Sequence, residues 1–253
     1  MLIFRRTVYL SLIILAVVSL TLLPMSKTAN AQTDEETRGN KNAESLNKSE
    51  IIGDDFIYEG EVKDGKPHGF GKMKELDGTT YVGEFKEGKY HGKGTIFYPK
   101  GKKFILRTVT TMKRDFNMTL PMGKKYVGDF KEGVREGRGI LTYYSGAEYV
   151  GNFKDGIMNG QGEMKNPSGS KYIGNFEDGK PHGQGTVIFA DGRKYTGDVN
   201  LNNIEGEGTM VFPDGRKYVG HFEDSMMNGK GTMTYPDGRK EEGVFKNNTF
   251  VSK

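Results

Sequence analysis

The stretch Gly92-Lys93-Gly94-Thr95 brings together the residue types that cradle phosphate. Glycines let backbone N–H groups approach an anion, a lysine supplies charge, and a hydroxyl can hold a metal ion. The spacing is wrong for that chemistry. A phosphate loop needs Gly-x4-Gly-Lys-Ser/Thr between a strand and a helix, whereas Gly92-Lys93 and Gly229-Lys230 are each followed by another glycine. Gly-x-Gly-x-x-Gly fails too, because Phe97 stands where the third glycine belongs. His68, His91 and His182 share one position beside a turn and His221 lies elsewhere, which supplies no third ligand for a metal. No serine sits in Gly-x-Ser-x-Gly, and adjacent carboxylates such as Glu241-Glu242 point to opposite faces of a strand. The sequence therefore implies no catalytic residue, no metal and no cofactor.

One segment keeps a chemical character of its own. Between 100 and 125 lie Lys100, Lys102, Lys103, Arg107, Lys113, Arg114, Lys124 and Lys125, with Asp115 as the one acid. Phe104, Ile105, Leu106, Phe116, Met118, Leu120 and Met122 are interleaved with them. A basic and apolar segment is suited to an anionic lipid surface or an acidic partner.

The elements that position these residues come from self-similarity. Tyr-x-Gly recurs as Tyr58 with Gly60, Tyr81 with Gly83, Tyr126 with Gly128, Tyr149 with Gly151, Tyr172 with Gly174, Tyr195 with Gly197 and Tyr218 with Gly220. Gly243 keeps the glycine of a truncated copy beginning at 241. Successive tyrosines stand 23 apart, except for a gap of 45 between Tyr81 and Tyr126. Because Leu120–Tyr126 aligns with Phe212–Tyr218, residues 104–125 are expected to be a diverged unit, one short of the full period.

Counting from each tyrosine, glycine falls at offset 2 and usually at 7, 11, 13 and 20. Phe or Val takes offset 4 (Val62, Phe85, Phe130, Phe153, Phe176, Val199, Phe222, Phe245), and apolar residues take offset 15. Steps of two mark strands with one apolar face. Pro-Asp-Gly-Arg at 213–216 and 236–239 marks the turn between units, and Lys63–His68 the loop within one. Glycine at offset 2, between two aromatics, leaves room for a ring against the backbone. One hairpin cannot bury its apolar face alone, so the units must stack. The expectation is an all-β fold: an elongated, twisted, single antiparallel sheet of hairpins whose aromatic face curls into a gutter. Stacking would also align Lys103, Lys125, Lys171, Lys194, Lys217 and Lys240 into one stripe, and Asp64, Glu87, Glu132, Asp155, Asp178 and Asp224 into another.

The N-terminus reads differently. A basic start, an apolar run over 7–24 and Ala29-Asn30-Ala31 form a secretory signal, 1–31, with cleavage after Ala31. An uncleaved anchor over 7–24 is the alternative. Residues 32–57 are acidic and without periodicity, as in a flexible linker, and 58–253 form the repeat domain. The chain has no cysteine, which fits a periplasmic or secreted bacterial protein stable without disulfides. Without 1–31 it carries 34 basic against 33 acidic residues, so nothing in the charge calls for nucleic acid.

Tyr58-Glu59-Gly60-Glu61 followed by Gly65-Lys66-Pro67-His68-Gly69-Phe70-Gly71, recurring at 81–94, 126–139, 149–162, 172–185, 195–208 and 218–231, resembles the MORN (membrane occupation and recognition nexus) repeat. The chain has Phe or Val at offset 4, where the family often has Trp. The resemblance implies an elongated β-sheet module without catalysis of its own. Such modules serve as scaffolds, dimerisation surfaces or phospholipid contacts, and accompany junctophilins, plant phosphoinositide kinases and a histone lysine methyltransferase. It further implies an unknown protein partner, with an anionic lipid surface as the alternative ligand; the aromatic gutter and open sheet ends are themselves suited to self-association.

Overall fold

The computed structural model describes residues 49–101, 103–107, 117–121 and 123–252, with side chains for 49–101 and 123–252. The signal segment with Ala31, and most of the acidic linker, lie outside the described residues. The strands in chain order are β1 (Ser49–Ile52), β2 (Phe56–Lys63), β3 (Lys66–Glu75), β4 (Thr80–Lys86), β5 (Lys89–Phe97), β6 (Lys103–Arg107), β7 (Asn117–Pro121), β8 (Lys125–Lys131) and β9 (Val134–Thr142). They continue as β10 (Glu148–Lys154), β11 (Ile157–Lys165), β12 (Lys171–Glu177), β13 (Lys180–Ile188), β14 (Lys194–Asn200), β15 (Asn203–Val211), β16 (Lys217–Glu223), β17 (Met226–Thr234), β18 (Lys240–Lys246) and β19 (Thr249–Ser252). Among the described residues, seventeen strands form one open antiparallel sheet, and β6 and β7 pair only with each other.

Each unit is one hairpin, closed by two residues that both have positive φ, such as Asp64 (51°) and Gly65 (72°). That is the turn whose twist matches the flanking strands. The acids expected as a stripe occupy its first position at Asp64, Glu87, Glu132, Asp155, Asp178 and Asp224. The turn is tighter than the sequence implies, because Lys66, Pro67 and His68 already belong to β3 and Pro67 stands opposite Val62. Units are joined by a second turn. In it Phe212 N–H donates to Arg216 O at 2.9 Å, Gly215 N–H donates to Phe212 O at 3.0 Å, and Gly215 has φ 87°.

Two sequence expectations change. Ser49–Ile52, inside the presumed linker, forms β1 and pairs with β2, where Ile51 stands opposite Tyr58. More important, β5 pairs directly with β8 (Gly94 opposite Gly128, Ile96 opposite Tyr126). β6 and β7, which fall in the expected diverged unit, are therefore not stacked in the large sheet, and Lys103 leaves the lysine stripe. Tyr98 N–H donates to Lys124 O at 3.1 Å, the counterpart of the Phe212–Arg216 bond. The additional chain between Tyr98 and Lys124 is thus an insertion in a turn between units. The physical reason is visible at Leu106 and Asn117, which occupy the two offsets that must be glycine to admit a ring.

That ring requirement organises the core. In the strand Lys-Tyr-Val-Gly-His-Phe-Glu of β16, Tyr218, Gly220 and Phe222 are buried on one face. Each repeat tyrosine lies over its own paired glycines: a Cβ on Gly94 would stand 2.5 Å from two Tyr81 ring carbons. The middle units follow suit. Gly151 stands opposite Gly162, Gly174 opposite Gly185 and Gly197 opposite Gly208. A Cβ on Gly151, Gly174 or Gly197 would run into the hydroxyl of Tyr149, Tyr172 or Tyr195 respectively, which is the close approach expected of glycine at offset 2. The hydroxyl donates to a backbone carbonyl three residues on, at 2.6 Å for Tyr58 to Glu61 and 2.9 Å for Tyr81 to Glu84. Burial raises the pKa of Tyr81, Tyr126, Tyr149 and Tyr195 well above the ordinary phenol value, so these rings stay neutral.

Candidate binding cavity

The glycine-lysine cluster has no room for phosphate. Gly92 (φ 53°) forms a bulge in β5, and the Tyr81 ring lies against Gly94. The bulge is capped by Glu84, whose Oε1 accepts from Lys93 N–H at 2.9 Å. The same cap recurs as Phe70 N–H to Glu61 (2.9 Å), Arg138 N–H to Asp129 (3.1 Å) and Glu207 N–H to Asp198 (3.3 Å). Sequence reasoning missed these capping carboxylates, although an acceptor at offset 3 in most units was the available signal. His182 Nε2 meets Glu177 at 3.2 Å and His221 Nδ1 meets Glu207 at 3.3 Å. No group of three or more His, Cys, Asp or Glu able to hold a metal exists among the described residues.

Of the basic candidates, Lys100 and Lys124 are exposed, and Lys125 Nζ lies 5.7 Å from the Phe97 ring centroid. Lys103 and Arg107 sit at the two ends of β6, and their side chains are outside the description. Lys102, Lys113 and Arg114 lie outside the described residues. The lysine stripe does form from Lys125 onward. Pairing joins Lys125, Thr142, Glu148, Lys165, Lys171, Ile188, Lys194, Val211, Lys217, Thr234 and Lys240 into one row across the sheet. Alternation puts this row on the face away from the tyrosines.

On the tyrosine face the offset-4 phenylalanines form a ladder, each meeting the preceding unit's tyrosine edge-on and all but Phe245 meeting their own as well. Tyr58–Phe85, Tyr81–Phe130, Tyr126–Phe153, Tyr149–Phe176, Tyr195–Phe222 and Tyr218–Phe245 have centroids 4.8–5.0 Å apart and interplanar angles of 76–86°. Tyr172 breaks the series, because the residue due to cover it is Val199. Six of the seven repeat tyrosines are wholly buried, whereas Tyr172 keeps 6% of its surface exposed. Its neighbours loosen as well. Met164 and Val187 are only partly buried, while their equivalents Met73, Ile96, Leu141, Met210 and Met233 are buried.

The result is a cavity of about 400 Å³ walled by Tyr172, Phe176, Pro181, Val187, Val199 and Met164, with Asn166, Ser170 and Asn202 among its polar lining. The volume is in the range of ligand pockets. Val199 was noted in the sequence as an offset-4 residue, but its consequence depends on the ring it fails to supply to its neighbour.

A smaller cavity, about 190 Å³, lies near the insertion and is lined by Glu75, Thr79, Tyr90, Tyr98 and Arg135 among others. Arg135 is buried at an offset where other units carry Pro67, Tyr90, Met158, Pro181, Ile204 and Met227. Its Nη2 donates to Gly156 O at 2.5 Å, and its guanidinium carbon lies 5.4 Å from the Phe153 centroid. Tyr90 O–H donates to Glu75 at 2.5 Å; burial first, then this carboxylate, raises its pKa. This cavity is half the size and carries the charged Arg135 and Glu75, so the wider cavity at Tyr172 is the better site for an apolar side chain.

The family model described as MORN repeat matches residues 58–79, 81–103, 126–148, 149–171, 172–192, 195–215 and 218–238. Its copies leave out 104–125, where β7 and most of β6 stand apart from the large sheet. Among solved structures, the chain is similar to the SAS-4 (dCPAP) TCP domain in complex with a proline-rich motif of Ana2 (dSTIL) of Drosophila melanogaster, at 15% identity and TM-score 0.39, covering 83% of this chain and 98% of that one. It is also similar to the G-box domain of the microcephaly protein CPAP, at 15% identity and TM-score 0.28, covering 79% and 99%. The comparison with curated proteins gave no match.

Proposed function

The chain belongs to the MORN-repeat family, and from that premise we propose that it is an exported, non-enzymatic module that binds or scaffolds proteins at the cell envelope. Repeats of this kind point to a protein- or lipid-binding module. The observation that favours protein here is the cavity at Tyr172, an apolar site with a polar lining in the unit where Val199 leaves that tyrosine without a covering phenylalanine. Apolar pockets with a few polar groups are what side chains of a partner require. The signal-like residues 1–31 carry the export part of the reading.

Crosslinking in intact envelopes followed by capture of the tagged full chain tests it. A specific protein should be recovered, and N-terminal sequencing of the native chain should begin at Gln32. Recovery of lipid alone would replace this reading with the second one, a phospholipid-binding protein. That alternative draws on the row of Lys125, Lys171, Lys194, Lys217 and Lys240 on the opposite face, and on the basic 100–125 segment. Anionic-vesicle binding that weakens with salt, and that is lost on reversing those lysines, would establish it.

A further inference from the structure

The ladder itself states what the cavity lacks. Tyr81, Tyr126, Tyr149 and Tyr218 each meet two phenylalanine edges, one from their own unit and one from the next. Among the described residues Tyr172 meets one ring, Phe176, at 5.2 Å and 77°. The next unit offers Val199, which is buried at 3% exposure and cannot reach as far as a phenyl ring. The missing contact is thus the positive edge of an aromatic ring against the tyrosine face, in the T-shaped arrangement that rings prefer. The walls that would flank such a ring, Phe176, Pro181, Val187 and Met164, are apolar, and a methionine beside a ring edge is itself favourable. Lys171 also borders the cavity but its ammonium is paired with Glu163 at 2.7 Å, and Asn166 Nδ2 donates to Ser170 Oγ at 3.1 Å, so the lining, with Asn202, offers neutral hydrogen-bonding groups suited to backbone amides of a chain carrying that ring.

We infer that the cavity at Tyr172 takes a phenylalanine-type side chain of a partner protein, which completes the ladder at the rung where Val199 stands. This rests on the protein-binding reading above and specifies its anchor residue. It also yields a control intrinsic to the repeat: Val199→Phe gives this unit the residue that Phe176 and Phe222 supply elsewhere, so it should fill the cavity with the protein's own ring.

The test uses the full chain labelled at methionine and valine methyl groups and titrated with N-acetyl-phenylalaninamide or N-acetyl-leucinamide. Saturable shifts at Met164 and Val199 are expected with the aromatic amide, at about fivefold lower concentration than with the aliphatic one. Val199→Phe should abolish them while raising the denaturation midpoint, and Val199→Met, which adds bulk without a ring, should weaken them. Equal binding of both amides, or undiminished binding to Val199→Phe, overturns the inference. Capture from intact envelopes is run in parallel to keep the two readings apart. A protein captured equally by wild type and Val199→Phe supports the module and overturns the rung. Selective amide binding with no protein captured overturns the module and leaves the rung's preference for a ring in place.

Discussion

Between Tyr98 and Lys124 the chain carries nearly a whole repeat more than its other turns do, yet Tyr81 and Phe130 meet at 5.0 Å, as neighbouring units do elsewhere. At Val199 the spacing stays at 23, yet the ladder loses a rung and a cavity of about 400 Å³ opens. The conspicuous irregularity leaves the packing intact; the inconspicuous one alters it. An insertion in a turn adds chain outside the hydrogen-bonded rows, at an entropic cost that grows only slowly with length. A ring removed from the face leaves its neighbours without partner atoms.

Alkali should have the largest effect and should separate the complete ladder from the broken rung. In the unfolded chain these hydroxyls ionise near pH 10, whereas burial keeps Tyr81, Tyr126, Tyr149 and Tyr195 protonated well above it and pushes Tyr218 up to about 12. Above pH 10 the unfolded state therefore binds fewer protons than the folded one, and stability falls as pH rises, by up to about 1.4 kcal/mol per pH unit for each such tyrosine. Burial raises the pKa of Tyr172 as well, but its partly exposed ring should ionise before those four in phenolate absorbance, and the four should ionise together with loss of the sheet by circular dichroism. Ionisation of all of them at pH 10 with the sheet intact would contradict the burial described.

Next, Tyr149→Ala, which removes a ring that meets two phenylalanine edges, should cost about 3–5 kcal/mol in denaturant unfolding. Tyr172→Ala should cost less, by the worth of one absent ring pair, about 0.5–1.5 kcal/mol. Equal losses would mean that the exposed rung is packed as well as the others. Replacing residues 99–123 by Pro-Asp-Gly should leave the spectrum of the sheet unchanged and alter stability by no more than about 2 kcal/mol, the loop-entropy scale. Unfolding of that variant would show that the insertion supports the ladder. Smallest, Val199→Phe should raise stability by about 0.5–1.5 kcal/mol if the new ring meets Tyr172 edge-on.

Most of the fold was legible because it is written locally. Tyrosine at offset 0, glycines at 2 and 13 and Pro-Asp-Gly-Arg turns recur at fixed spacing, and a period of two admits only strands. Two errors had a common origin in counting rather than packing. Residues 104–125 number nearly one period, and the alignment of Leu120–Tyr126 with Phe212–Tyr218 is genuine, but it reflects the shared exit from a turn. The linker expectation over 32–57 passed over Ile51, whose position opposite Tyr58 gives it a role. The site was harder to read. Val62 and Val199 occupy the same offset, and only their neighbours distinguish them: Val62 belongs to the first unit, with no repeat tyrosine before it, whereas Val199 fails to cover Tyr172. Arg135 could have been found as the one charge at an otherwise uncharged offset.

Glycine-rich strands usually hold their pairing loosely, since nothing distinguishes one alignment from the next. Here the opposed glycines do the reverse. Gly83 faces Gly94, Gly197 faces Gly208, and each such pair lies beneath a ring that tolerates no Cβ. A slip of two residues along a strand would preserve which side chains face inward, yet it would drive a valine, methionine or phenylalanine side chain into space a tyrosine already fills. The glycines thus act as the notches of a ratchet, allowing a chain of near-identical hairpins to recognise its own alignment.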